Sequence, residues 1–148
     1  MNIRQIKDTD YKYFSDNVRE LDARECEAVS RRSPLEHLKV GIESSIEHSV
    51  LADKDDNPIA FGGILKQGDI TCIWLLTTNL VETNKKTFMK YTKSEVKRCF
   101  EKYGILWIAT DLRYEQALRL NEWCGFKRHD SNVFINNFEF AIYKYDGE

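Results

Sequence analysis

The sequence predicts a single α+β domain in which a mixed, mostly antiparallel twisted sheet carries helices on both faces. Segments with helical spacing of apolar residues and short strand-like segments follow one another along the whole chain. A strand, a long helix and a second strand lie between residues 70 and 110, which requires a right-handed crossover and hence parallel pairing. No linker, repeat or low-complexity stretch divides the 148 residues, so we expect one domain over residues 1–148.

The N-terminal third is predicted to hold one strand and three helices. Residues 2–7 alternate polar and apolar side chains, which favours a short strand. Residues 11–21 form an amphipathic helix, and a capping-box pattern from Asp22 to Glu25 starts a second one that ends near residue 29. At the third helix, Ser33 caps, Pro34 takes the first helical position and Glu36 closes the box.

The middle of the chain is predicted to form an antiparallel meander. Its strands are residues 49–52, 59–66 and 70–78, with turns at 53–58 and 68–69. The third strand is almost continuously apolar, as is typical of a strand covered on both faces. Gly62 and Gly63 lie inside the second strand, which indicates a bulge or a close approach to the backbone.

The C-terminal part adds two helices and three strands. The predicted order is a helix over 84–103 ended by Gly104, a strand over 105–110, a helix over 113–124 stopped by Gly125, and strands over 133–135 and 138–143. Asn136 and Asn137 form the predicted turn between the last two strands.

Composition excludes several classes of function. The net charge of −2 is too balanced for a protein whose whole surface binds nucleic acid. No apolar run approaches the length of a membrane span, and the N-terminal segment has no apolar core of the kind that signal peptides carry. We therefore expect no membrane association, and a reduced, cytoplasmic location.

The cysteines and histidines do not have the spacing of metal ligands. The four cysteines are separated by 46, 27 and 25 residues, so a zinc ribbon or redox pair is not predicted, and they are expected to be small core side chains. His37 and His48 share a helix face only if the third helix runs that far, and their separation of 11 differs from the 3 or 4 of a helical metal pair. We predict no metal site.

The order of elements resembles the GNAT superfamily of acyl-CoA-dependent N-acyltransferases. Residues 114–126 resemble the family's late helix and the Gly-Phe turn behind it, with Ala117, Leu120, Gly125 and Phe126 in register. The coarse order matches over nearly the whole chain. The resemblance implies transfer of an acetyl group from acetyl-CoA to an amine on a small molecule or a protein.

A narrower resemblance points to the small GNAT-like internal virion proteins of short-tailed coliphages. Residues 23–28, 73–76, 88–107 and 138–143 are similar to segments of that group. It implies a bacteriophage protein in the cytoplasm of a bacterial host cell or in the virion, with a phage or host protein as partner. The alternative to an active enzyme is then a catalytically inactive GNAT-like virion component or host-interaction factor.

The phosphate-binding loop that the resemblance implies is degenerate in this chain. The family has a glycine-containing loop after its fourth strand, whereas residues 78–86 contain no glycine, and Glu82 adds a negative charge. Either Thr83 or Asn84 could cap the next helix and compete for its N–H groups. The residues implied to bind acetyl-CoA are Leu75, Leu76, Thr77, Thr78, Thr83, Asn84, Lys85 and Lys86.

The catalytic candidates that the resemblance implies are Tyr114 and Asp111. The family often has an acidic tyrosine four residues before the Gly-Phe turn, but Asn121 stands there, and an amide cannot protonate a thiolate. Tyr114 could replace it if its hydroxyl faces the site; otherwise it is a half-buried aromatic at a helix start. Asp111 is equally a base or a helix cap, and Asp69 and Glu82 are further carboxylates near the expected cleft.

Near-neutral composition hides a segregation of charge. Residues 85–103 carry net +5, against −7 for the rest of the chain. The lysines at 86, 90, 93 and 97 recur at helical spacing and form one ridge. This ridge is a solvated helix face, a site for the CoA 3′-phosphate, or a patch for an acidic partner or nucleic acid. Tyr91 alone lies near it, which does not favour base stacking.

Overall fold

The computed structural model describes residues 2–147. Its helices are α1 (Asp8–Asn17), α2 (Glu20–Ser30), α3 (Pro34–Ser44), α4 (Lys85–Tyr103) and α5 (Glu115–Cys124). Its strands are β1 (Asn2–Arg4), β2 (Glu47–Ala52), β3 (Pro58–Gln67), β4 (Ile70–Thr77), β5 (Leu106–Asp111), β6 (Lys127–Arg128), β7 (Val133–Ile135) and β8 (Phe138–Tyr145). A 3₁₀ helix, Asn79–Thr83, joins β4 to α4.

The strands form one mixed sheet in the order β1-β2-β3-β4-β5-β8-β6, with β7 also paired to β8. The pairing of β4 with β5 is parallel, and the other strand pairs within residues 2–147 are antiparallel. Along the chain, α4 lies between the two parallel strands, as the right-handed crossover requires. The predicted α+β architecture is therefore confirmed.

Helices cover both faces of the sheet. Since neighbouring strand residues point in opposite directions, successive side chains of one strand contact different helix layers. On β4, Trp74 packs with Phe14 and Phe61 in the layer formed by α1–α3. The next residue, Leu75, packs with Phe88 of α4 on the other face. This alternation explains the continuous apolar run of β4, which is covered from both sides.

The two glycines of β3 serve a close approach rather than a bulge. Gly63 lies opposite Trp74 in the register of β3 and β4, and a Cβ atom built on it would lie 2.6 Å from the indole ring. The irregularity in this part of the sheet falls between Leu51 and Ala52 on β2. Of the two predicted explanations, the close approach is correct, and the group that approaches is a side chain.

A tight turn fastens the C-terminal hairpin to the N-terminal helices. Asn136 and Asn137 have φ angles of 50° and 71°, the left-handed conformation of a two-residue hairpin turn, so the predicted turn is confirmed. The side chain Nδ2 of Asn136 donates hydrogen bonds to the backbone carbonyls of Ala28 and Val29, at 2.9 and 3.1 Å. These carbonyls lie at the end of α2, where no further helical turn would satisfy them.

Several local predictions are corrected. Helix α2 begins at Glu20, so Asp22 lies inside the helix and the capping-box interpretation is wrong. Helix α3 ends at Ser44, so His48 lies on β2 and does not share a helix with His37. Strand β6 and the 3₁₀ helix were not predicted from the sequence. No helix within residues 2–147 combines the length and apolar character needed to cross a bilayer.

We expect Gly63→Ala to lower the free energy of unfolding by about 1–3 kcal/mol, because the new methyl group overlaps the indole ring of Trp74. Gly62→Ala is the matched control, since a Cβ atom there meets its nearest neighbours at 3.5 Å or more. Urea unfolding of both variants provides the measurement. Equal effects of the two substitutions would contradict the proposed overlap.

Candidate functional site

The central strands separate and open a cleft. Strands β4 and β5 pair at Thr71 with Leu106 and at Cys72 with Trp107, and they diverge beyond these positions. A cavity of about 530 Å³ lies on the side of α4 and α5, and we call it the α5-side cavity. A cavity of about 880 Å³ lies on the side of α2 and α3, and we call it the α3-side cavity.

The two cavities share three wall residues. Leu75 of β4 and Ile108 of β5 stand on either side of the gap between the strands, and Glu25 reaches it from α2. The opening therefore connects the two faces of the sheet, with one carboxyl group at the connection.

Helix α2 places two carboxylates against the separated strands. Asp22 and Glu25 are three residues apart and therefore lie on the same helix face. The backbone N–H of Thr77, at the end of β4, donates to Asp22 Oδ2 at 3.0 Å, and the Thr77 hydroxyl donates to the same oxygen. The backbone N–H of Asp111, at the end of β5, donates to Glu25 Oε2 at 3.1 Å. Each strand end thus has its own carboxylate partner on α2.

The protein environment raises the pKa of both carboxyl groups. Burial raises the pKa of Glu25 to about 8; the charges of Asp22 and Asp111 add to this effect, and the N–H of Asp111 opposes it. Burial also raises the pKa of Asp22 to about 6, although the hydrogen bonds from Thr77 favour its charged form.

An arginine links the cleft to the segment behind β4. Arg19 lies between α1 and α2, and its Nη1 donates to the hydroxyl of Tyr114 at 3.1 Å. Its Nη2 donates to Glu82 Oε1 at 2.9 Å. The negative charge of Glu82 is therefore paired with Arg19, and Lys85 Nζ also lies 3.6 Å from its other oxygen.

The predicted catalytic residue Tyr114 lines the α5-side cavity and is 5% exposed. Burial, followed by the charge of Asp22, raises the pKa of its hydroxyl well above the ordinary value. The hydroxyl accepts a hydrogen bond from Arg19 Nη1 at 3.1 Å. The hydroxyl thus contacts another residue that lines this cavity, and it holds its proton more tightly than a free tyrosine.

The other predicted catalytic residue, Asp111, directs its carboxylate to Arg113. Arg113 Nη2 donates to Oδ2 at 2.6 Å, and the Arg113 backbone N–H donates to Oδ1 at 2.9 Å. Although burial acts in the opposite direction, these bonds lower the pKa of Asp111 below its ordinary value. What Asp111 contributes to the cleft is its backbone N–H, which orients Glu25.

The start of α4 leaves its first backbone N–H groups without a side-chain cap. Asn84 turns its Nδ2 back to the carbonyl of Leu80 at 2.8 Å, so it does not compete for these groups. The first turn contains no acidic residue, and it carries Lys85 and Lys86. Free amides, a helix dipole and two ammonium groups together suit a phosphate, despite the absence of glycine.

The eight residues predicted to bind acetyl-CoA are distributed over four environments. Leu75, Thr77 and Lys85 line the α5-side cavity, and Leu76 lines the α3-side cavity. Thr78 is fully buried, where its hydroxyl donates to the carbonyl of Pro58 at 2.8 Å. Thr83, Asn84 and Lys86 lie at the junction of the 3₁₀ helix and α4.

Structural comparison, rather than sequence comparison, relates this chain to known proteins. No protein-family model and no curated protein matches the sequence. The fold resembles a GNAT-family acetyltransferase from Bacillus anthracis, with 13% identity, a TM-score of 0.71, and coverage of 97% of this chain and 92% of that one. A single-residue variant of a Vibrio cholerae spermidine N-acetyltransferase gives 14% identity, a TM-score of 0.69 and the same coverages. The smu.2055 protein of Streptococcus mutans gives 15% identity, a TM-score of 0.66 and coverage of 100% of both chains.

The chain has the GNAT fold. Within this GNAT fold, the carboxylates at the cleft come from α2 rather than from β4 or the turn behind β5. Asp22 and Glu25 were not predicted as site residues, because their spacing also fits a capping box. The signal available in the sequence was that an i, i+3 pair of acids also marks one face of a helix.

The basic ridge predicted on α4 is exposed to solvent at all four lysines. Lys93 Nζ lies 4.5 Å from the ring centre of Trp123 on α5, a residue that is 43% exposed. Trp123 also lines the α5-side cavity, so the ridge reaches the mouth of that cavity.

We expect Glu25→Gln to raise thermal stability increasingly as the pH rises. The pKa of Glu25 is about 8 in the folded chain, and its ordinary value is 4.5. Between pH 4.5 and pH 8 the unfolded chain releases this proton more readily than the folded chain does, so the wild type loses stability as the pH rises. The difference in Tm between variant and wild type should grow by roughly 4 °C or more from pH 5 to pH 8, at about 1.36 kcal/mol per pKa unit. Differential scanning calorimetry across this range measures it.

Glu27→Gln is the matched control for this experiment, because Glu27 lies on the same helix and is exposed. Its Tm difference from the wild type should stay constant over the same pH range. A constant difference for Glu25→Gln as well would mean that Glu25 titrates normally.

Proposed function

We propose that the protein is an acetyltransferase that moves the acetyl group of acetyl-CoA to the nitrogen of an amine. The observation that carries the proposal is the Glu25 carboxyl group, which has a raised pKa and stands where the two cavities meet. A base with a pKa near the working pH is suited to proton transfer. The opening between β4 and β5 lets the two reactants approach this group from opposite faces of the sheet.

The α5-side cavity suits the donor. Basic side chains outnumber acidic ones along its wall, with Arg19, Lys85 and Arg119 against Asp22 and Glu25. The uncapped amides of α4 lie beside Lys85 and suit the pyrophosphate. Acetyl-CoA supplies the acyl group as an activated thioester, and the chain supplies its placement and the proton transfers.

Glu25 carries out both proton transfers in this proposal. In its ionised form it accepts a proton from the amine nitrogen as the new C–N bond forms and the thioester C–S bond breaks. The protonated carboxyl group, with a pKa of about 8, is comparable in acidity to a thiol at about 8.5. It can therefore return the proton to the departing sulfur, which leaves an amide, a thiol and the ionised carboxylate.

The other candidate proton donors are less suited to this step. Asn121 is buried, and its Nδ2 donates to the Thr110 hydroxyl at 2.8 Å, which links α5 to β5. Tyr114 as the acid stays a prediction; its raised pKa disfavours proton release, and its hydrogen bond with Arg19 suits a positioning role. Asp111 as the base also stays a prediction.

A second candidate function is a catalytically inactive GNAT-fold protein that serves as a phage virion component or host-interaction factor. Two features favour it: Asn121 stands where the family often has tyrosine, and a 3₁₀ helix replaces the glycine-containing loop. In that case, a phage or host protein would be the partner, in the host cytoplasm or in the virion. Turnover of acetyl-CoA with a defined amine distinguishes the two functions.

Calorimetric titration with acetyl-CoA should detect binding to the wild type. The double variant Lys85→Gln/Lys86→Gln should bind roughly tenfold more weakly, since two phosphate contacts of about 0.7 kcal/mol each are lost. The control is Lys54→Gln/Lys66→Gln, which removes the same charge from exposed positions farther from the helix start. Absence of heat with millimolar acetyl-CoA, or equal weakening in both double variants, would refute the donor site.

Thiol release in the presence of a panel of amines tests the role of Glu25. Glu25→Gln should lower kcat/KM by about 10²–10⁴, the range of general acid–base catalysis. Below a pH of about 8 the ratio of wild type to variant should rise with pH, because the ionised form of Glu25 becomes more populated. Taking the ratio cancels the titration of the amine itself.

Glu27→Gln again provides the control and should behave as the wild type at every pH. Equal rates for Glu25→Gln and the wild type would remove Glu25 from the mechanism. Absence of turnover with every amine would favour the inactive GNAT-fold protein.

A further inference from the structure

The α3-side cavity has mostly apolar walls. It lies between α2 and α3 on one side and β4, β5, β7 and β8 on the other. Its apolar wall residues include Val40, Ile73, Trp107, Val133, Ile135 and Ile142. At about 880 Å³ it falls in the range of pockets that hold small organic molecules, about 300–1,000 Å³.

Charged side chains are few along this cavity. Among the residues that line it, Glu25 is the acidic one, and Arg32 and His37 are the basic ones. His37 accepts or donates at Nδ1 with the Ser30 hydroxyl at 3.0 Å, and burial lowers the pKa of its ring. One carboxylate can therefore neutralise one ammonium group, and it stands at the end of the cavity that opens to the other face.

A second positive charge on the ligand would meet an unfavourable environment. It would lie against indole and aliphatic side chains, or near Arg32, with no carboxylate to pair with it. Removing an ammonium group from water without a partner costs several kcal/mol. Binding of an apolar ligand body is favoured instead, by roughly 25 cal/mol per Å² of apolar surface that leaves water.

We propose that the acceptor is a primary amine with a single positive charge on a hydrophobic, preferably aromatic, body, and that polyamines are excluded. This inference rests on the proposed function, since it assigns the acceptor to the α3-side cavity and the donor to the α5-side cavity. The amine nitrogen lies at Glu25. The bound ammonium first releases one proton to water; the neutral amine then attacks the thioester, and Glu25 takes its second proton as the C–N bond forms and the C–S bond breaks, and passes it to the thiol sulfur. The body of the ligand extends along Trp107 and Val40.

Calorimetry without acetyl-CoA tests the inference separately from catalysis. The probes are 2-phenylethylamine, hexylamine and spermidine at matched ionic strength. We expect the two hydrophobic monoamines to bind at least tenfold more tightly than spermidine. Equal or tighter binding of spermidine, or no binding of the monoamines at millimolar concentration, would overturn the inference.

A charge variant makes the test sharper. Val40 is 37% exposed, so Val40→Glu should fold, and it adds a second carboxylate to the cavity wall. This variant should bind spermidine at least tenfold more tightly than the wild type does. Ile46→Glu is the control, because Ile46 is 55% exposed and lies outside this cavity. Similar gains in both variants would show a general charge effect and overturn the assignment.

Transfer assays with the same probes separate the two proposals. Preferential binding of monoamines without acetyl transfer overturns the proposed function and leaves the ligand class of the cavity supported. Transfer to spermidine in preference to the monoamines overturns the inference and supports the proposed function.

Discussion

Two hydrogen bonds from strand backbone to helix carboxylates hold the central cleft open. Where β4 and β5 part, each loses its neighbour, and a buried N–H without a partner is costly. Asp22 accepts from the end of β4, and Glu25 accepts from the end of β5. A single helix face thus replaces the missing strand pairing, and the cavities on both faces of the sheet depend on the resulting separation.

The same arrangement gives the site its chemical character. A carboxyl group in this position is partly shielded from water, which disfavours its charge and raises its pKa. The backbone N–H of Asp111 fixes one oxygen of Glu25, and the other remains available to the cleft. Positioning the group and adjusting its acidity are therefore consequences of one structural requirement, that separated strands need hydrogen-bond partners.

Local sequence patterns predicted most of the fold, whereas contacts between distant residues decided the site. The strand–helix–strand order between residues 70 and 110 fixed the parallel pair, and Asn136 and Asn137 indicated their turn correctly. Asp22 was misassigned because acidic residues near a helix start favour a cap in any local reading. Its partner Thr77 lies 55 residues away in the sequence, a distance that no periodicity reports. The 3₁₀ helix depends on a similarly non-local environment, the buried side chain of Thr78.

The position of β8 has a consequence for the order of folding during synthesis. This strand is synthesised after the other strands of the sheet, yet it lies inside the sheet between β5 and β6. Its turn also binds the end of α2 through Asn136. A nascent chain that lacks these residues has an unpaired edge on β5 and a helix α2 without its C-terminal anchor. The N-terminal helices and the cleft they support are therefore completed only after the C-terminal hairpin has been made.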